Sequence, residues 1–183
     1  MTQRRLGNEK FNKLVSLMLV GAMMLGMCTT AYAKDESNVK QYNSIQEVLE
    51  ENESMQDLIL SDENLSRPAM APLTSMQVMW VNSQDAGEEH ISAGQYATKL
   101  DHGGDWFQVI TLEVGFSSVR WAKFKHMEME STDTEYVDLN GDNIMDGVLR
   151  LWTINTSYTS GKFEYSAWSV QTSKEFSTWI NVL

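Results

Sequence analysis

From Tyr136 to Trp152 the chain reads YVDLNGDNIMDGVLRLW, with oxygen-bearing groups at alternate positions: Asp138, Asn140 and Asp142, then the carbonyl of Ile144, then Asp146. Ca²⁺ takes about 6–8 hard oxygen ligands at flexible distances, and alternate residues of a tightly curled loop converge to supply them. Gly141 permits the curl, and Asn143 stands where the turn is sharpest, as one of the few non-glycine types that tolerate a left-handed backbone. A plainer reading uses the same letters. Asn140-Gly141 between alternating apolar residues is a strong hairpin signal, and the acids would then be ordinary turn polarity. Aspartates crowded this closely repel one another unless a cation or wide solvation relieves them, which favours the metal. Both readings place strands on either side.

The spacing resembles the D-x-[DN]-x-D-G-x-x-D loops of FG-GAP-type repeats and of dockerins. That resemblance covers about ten residues. It implies a Ca²⁺ ligand set of Asp138, Asn140, Asp142, the Ile144 carbonyl and Asp146, and it implies no propeller, partner or activity. An EF-hand is a more distant likeness, because its twelfth position needs a bidentate Glu. Here Leu149 holds that place.

The elements that must position this loop are mostly strands. Ser75–Val81, Trp106–Val114, Ser118–His126, Thr134–Leu139, Gly147–Ile154, Lys162–Val170 and Phe176–Val182 are short runs rich in β-branched and aromatic residues, set off by Gly, Ser, Asn and Asp. That pattern predicts an antiparallel sandwich or barrel of about seven strands, and no repeat of fixed period suggests a propeller or solenoid. One N-terminal α-helix precedes them. Ser44 and Glu47 form a capping box, and Ile45, Val48, Leu49, Met55, Leu58 and Ile59 recur at helical spacing, so a helix is expected to about Leu60, with a break near Asn52. Its acids read as a solvated face. Residues 82–104 form a long polar segment that reads as a mobile loop or a short helix.

Catalytic constellations have little local support. His90, His102 and His126 are widely spaced, and neither GxSxG nor HExxH occurs. The HGGD stretch, His102 to Asp105, reads first as a loop and second as an exposed imidazole. Glu88 with Glu89, or Glu113 with Asp105, would have to serve as the acid and base of a glycosidase, at distances no sequence fixes. The six tryptophans suggest a different chemistry. Trp179 falls on a face with Ser177 and Asn181, and Trp152 on a face with Arg150. Such faces present aromatics beside polar groups as sugar or peptide platforms do, so Trp121, Trp152, Trp179 and Arg150 are candidate ligand contacts; burial in a core is the bland alternative.

The N-terminus gives the destination. Arg4, Arg5, Lys10 and Lys13 precede an apolar run from Leu14 to Met27, followed by Ala31-Tyr32-Ala33, which together make a secretory signal over residues 1–33 in a bacterial style. The competing reading lipidates Cys28 as in a surface lipoprotein, against which Met27 occupies a position that wants a small residue. Cleavage after Ala33 removes the only cysteine, hence any disulfide, and leaves a disordered lead-in over 34–43 and a single β-rich extracytoplasmic domain over 44–183. It also removes four of 14 basic and one of 25 acidic residues, so the mature net charge is −14. A chain that acidic, with scattered lysines, is a poor binder of nucleic acid or anionic membrane, and nothing in the mature part inserts into a bilayer. The expectation is therefore a secreted, acidic, β-rich domain with one structural Ca²⁺ loop that binds an extracellular protein or polymer. The alternatives are an extracellular hydrolase with dispersed carboxylates and a lipoprotein anchored at Cys28.

Overall fold

Alternation of apolar and polar residues governs the chain from Ser75 onward, and strands follow it. The computed structural model describes residues 39–52, 55, 70–155, 157 and 160–183. The signal segment with Cys28, most of the expected helix beyond Asn52, and Pro68 lie outside them. The elements are α1 (Ile45–Glu51), β1 (Ser75–Ser83), β2 (Gly87–His90), β3 (Phe107–Val114), β4 (Ser117–Phe124), β5 (Met127–Met129), β6 (Ser131–Val137), β7 (Gly147–Ile154), β8 (Gly161–Ser169) and β9 (Glu175–Val182). Two antiparallel sheets result, the first in the order β2-β1-β3-β7-β6 and the second in the order β5-β4-β8-β9. The fold is thus a mainly β sandwich with one short helix, Ile45–Glu51, among the elements described in full, and no described helix is long and apolar enough to cross a membrane.

Each face of the first sheet is buried for a different reason. Val81, Phe107, Val109 and Trp152 meet Ala122, Phe124, Phe163, Tyr165, Ala167 and Ile180 of the second sheet. On the opposite face Trp80, Ile110, Leu112, Leu149 and Leu151 are covered by Tyr42, Ile45, Val48, Leu49 and Met55. Three layers follow: helix, sheet, sheet. A bulge between Val78 and Trp80 lets β1 serve both cores, with Val78 and Val81 in one and Trp80 in the other.

The helix begins as its capping box requires. Ser44 Oγ accepts Glu47 N at 3.2 Å, while the Glu47 carboxylate accepts the Asn43 amide, one residue earlier than the reciprocal bond usually falls. Asp133 of β6 also accepts Ile45 N at 2.7 Å. Residues 39–43, expected to be loose, are fastened: the Gln108 amide group accepts Tyr42 N at 3.0 Å and donates to Tyr42 O at 2.7 Å. Two strands go beyond the seven expected. β2 is the polar GEEH, paired with β1 inside the stretch read as a loop or a short helix. β5 follows a two-residue turn with Lys125 at φ 57, a left-handed residue with no glycine to signal it.

Candidate functional site

The tryptophans divide by the face their strand gives them. On β7, Leu149 and Leu151 point to the helix layer, so Arg150 and Trp152 point between the sheets. They share a face as the sequence implies, but that face is interior: Trp152 is 3% exposed and Arg150 5%. The expectation of an exposed Arg150–Trp152 platform is therefore corrected. Its physical cause is that the first sheet is covered on both sides, so alternation yields no wet face.

Between the sheets these residues build a polar network. Arg150 Nε lies 2.6 Å from Glu113 Oε1, a second guanidinium nitrogen donates to Thr134 Oγ1 at 3.0 Å, and the Tyr165 hydroxyl donates to the same Glu113 oxygen. Glu113 Oε2 is buried without a hydrogen-bond partner. Burial works against the Arg150 charge, but the Glu113 carboxylate outweighs it and holds the guanidinium above its ordinary pKa. Burial, then Glu113, pushes the Tyr165 hydroxyl far upward, so it remains a donor. Trp152 Nε1 donates to Thr111 Oγ1 at 2.8 Å, and its ring packs 4.8 Å from that of Tyr165.

Trp152 is also the inner wall of a cleft. A cavity of about 320 Å³ opens where the chain passes from β5 to β6 and so from the second sheet to the first; Arg120, Trp121, Met129, Glu130, Ser131 and Trp152 line it. That volume is at the small end of ligand pockets. Ser131 pairs with Trp152 beside a bulge at Ser131/Asp133, and β4 carries another at Ser117/Val119, so irregular strands frame the opening. The side chains of Arg120 and Glu130 are exposed at the rim, and neither has a hydrogen-bond or ion-pair partner among the described residues.

The outer face of the second sheet continues from this rim, and no described helix or strand packs on it. Ala122, Tyr165, Ala167 and Ile180 face the core, so Trp121, Trp168 and Trp179 face out. Trp121 lies opposite Ser166, which lies opposite Ser177. Strand spacings then put Trp168 about 8 Å and Trp179 about 12 Å from Trp121, Cα to Cα. Trp121 is 37% exposed and Val119 61%. Trp179 stacks on Tyr96 at 4.9 Å, and the ammonium groups of Lys123 and Lys162 lie 4.5 Å and 4.7 Å over Trp121 and Trp179. Sequence reasoning missed Trp168, although Phe163, Tyr165 and Ala167 share one face and leave it on the other.

The Asp138–Asp146 loop connects β6 to β7 as the hairpin reading requires. Asp138 accepts the amides of Asn140 at 3.1 Å, Gly141 at 2.7 Å and Asn143 at 2.6 Å. Those amides hold its carboxyl below the usual range against some loss of hydration. Asn140 accepts Asp142 N, Asp142 accepts Ile144 N, and Asp146 accepts Leu139 N and Asn140 Nδ2. Asn143 and Gly141 take positive φ, 62° and 79°. The loop therefore closes on its own amides, and among the described residues no three acidic, histidine or cysteine side chains gather as metal ligands.

The hydrolase pairs do not assemble. Asp105 precedes β3 and Glu113 lies near its far end, separated by about 26 Å along the strand, whereas glycosidase carboxylates stand about 5–10 Å apart. Glu88 and Glu89 are strand neighbours and face opposite ways. Glu89 does meet His102: its carboxylate lies 3.3 Å from Nε2, and Ser83 Oγ lies 2.9 Å from Nδ1. The residue types are those of a nucleophilic triad, but Ser83 and His102 are fully buried. Glu89 also accepts the amides of Lys99 and Leu100 and the side chain of Gln95. The trio ties residues 91–106 to the β1–β2 hairpin.

Fold and site together define a helix-backed β-sandwich with an inter-sheet cleft beside an aromatic face. The chain belongs to the family described as Domain of unknown function (DUF4879), whose model matches residues 67–182 and so takes in every strand but not α1. No curated protein and no solved structure matches it.

Proposed function

We propose that the mature chain is an extracytoplasmic binding domain that holds an extracellular polymer on the outer face of its second sheet. The observation that carries this reading is the outer face bearing Trp121, Trp168 and Trp179, on which no described helix or strand packs and which adjoins the cleft through Trp121. Trp121 is exposed and Trp168 and Trp179 are half-buried, and large aromatics left partly in water mark faces that a ligand covers. The secretory pattern of residues 1–33 and the charge of −14 support a role outside the cytoplasm and away from polyanions. Co-sedimentation with cellulose, chitin and peptidoglycan tests it. Wild type is expected in the pellet of at least one and Trp168→Ala/Trp179→Ala in the supernatant; a wild-type chain that stays in solution, or a variant that pellets equally, refutes the reading.

Ca²⁺ at Asp138, Asn140, Asp142, the Ile144 carbonyl and Asp146 is part of the same proposal. The spacing and the curl support it. With its donors all on the β6–β7 connection, Ca²⁺ there would tighten that connection and take no part in ligand chemistry.

A further inference from the structure

The cleft specifies the ligand more narrowly than the aromatic face does. We infer that it takes one or two residues of an uncharged glycan chain, with Trp121 against a sugar face and Arg120, Glu130 and Ser131 on its hydroxyls. This rests on the binding reading above. Arg120 offers donors only, Glu130 acceptors only and Ser131 both. A sugar ring carries donors and acceptors around its edge and C–H bonds on its faces, so it matches all three types beside an indole. A polyanion matches Arg120 alone and is repelled by the net charge and by Glu130.

Size argues against a protein partner. The triangle spanned by Trp121, Trp168 and Trp179 covers only about 50 Å², while a stable protein interface buries about 800 Å² on each partner. An extended chain needs only a cleft and a strip. The lysines over Trp121 and Trp179 do not block it, since an exposed cation–π contact is weak and Lys162 is 42% exposed. The inner wall is rigid: Trp152 is pinned to Thr111 and packed on Tyr165, whose hydroxyl is held by Glu113.

Titration of the mature chain with cellohexaose and with chitohexaose, read by tryptophan fluorescence and calorimetry, tests the inference. A saturable response is expected for at least one sugar, with Kd between about 10 μM and 1 mM. Trp121→Ala should weaken it at least about tenfold. Arg120→Gln/Glu130→Gln should do the same, and because both side chains are exposed this variant stays folded if Trp121→Ala does not. Absence of any saturable response below about 10 mM, or equal affinity in the Arg120/Glu130 variant, overturns the assignment. Saturable binding of a neutral peptide in place of both sugars also overturns it. The two readings fail separately: pelleting that depends on Trp168 and Trp179 without oligosaccharide binding removes the cleft assignment and leaves the aromatic face.

Discussion

Removing Glu113 should be among the most damaging single changes in the domain, and removing its partner as well should undo most of the damage. Glu113 is fully buried, Arg150 is 5% exposed, and 2.6 Å separates Nε from Oε1. Glu113→Ala strands a guanidinium and the Tyr165 hydroxyl between two sheets. Breaking one side of such a pair costs about 3–5 kcal/mol, whereas replacing both sides with apolar residues of similar volume is near neutral or stabilising. A domain of this size holds roughly 5–15 kcal/mol, so the single variant sits near the edge of folding. With a urea slope of about 2 kcal/mol/M, a loss of about 4 kcal/mol moves the midpoint down by about 2 M. Glu113→Met/Arg150→Met should return to within about 1 kcal/mol of wild type. Urea melts followed by circular dichroism check both. A cost below about 1 kcal/mol for Glu113→Ala would mean that the network is hydrated, and the burial argument would fail.

Acid should weaken the fold in two stages. Burial lowers the His102 pKa against the opposing pull of Glu89, so the unfolded chain protonates first; that contribution is complete above about pH 6.5 and fades below it. Burial tends to raise the Glu89 pKa, but the amides of Leu100 and Lys99, with Gln95 and His102, outweigh it and leave it lowered; its contribution is present above about pH 4.5 and is lost as pH falls through the folded value. Melting temperature against pH, with and without His102→Gln, should lose the upper stage only in the variant. Saturating Ca²⁺ at about 100 Kd should add about 2.7 kcal/mol, or roughly 5–10 °C in melting temperature, reversed by EDTA and absent in Asp142→Ala; a melt that EDTA leaves unmoved removes the metal. Asp146→Ala is the poorer probe, since Asp146 also accepts Leu139 N at 2.7 Å and its loss weakens the loop apart from any metal. Gly115→Ala should cost on the order of 2 kcal/mol or more in the same urea melts, because Gly115 has φ +89° and an added Cβ would lie 2.2 Å from the Pro72 carbonyl oxygen.

The strands were legible wherever side chains alternate against a single core. Gly147–Ile154 has the same bounds in sequence and structure, and the Ser44 cap marks the helix start. β2 was not legible, because GEEH on a sheet edge draws its strand character from pairing with β1 and has no β-branched residue. The faces of the candidate residues were half legible: Trp121 and Trp179 do lie on an outer face, but Trp152 and Arg150 were assigned to a wet face and are interior, since alternation reports which side of a strand a residue takes and not what covers that side. The helix that covers the first sheet lies far away in sequence. The pairings Glu113 with Arg150 and Ser83 with His102 are set by register across strands and loops, 37 and 19 residues apart, which no local pattern encodes.

The most direct test of the binding account is the set of six tryptophan indole N–H resonances followed by NMR while cellohexaose or chitohexaose is added to a chain of residues 34–183. The account predicts that Trp121, Trp152, Trp168 and Trp179 shift together with one saturation curve while Trp80 and Trp106 stay still. Shifts confined to Trp80 or Trp106 would contradict it, as would no shift at all in a chain that every polymer leaves in solution.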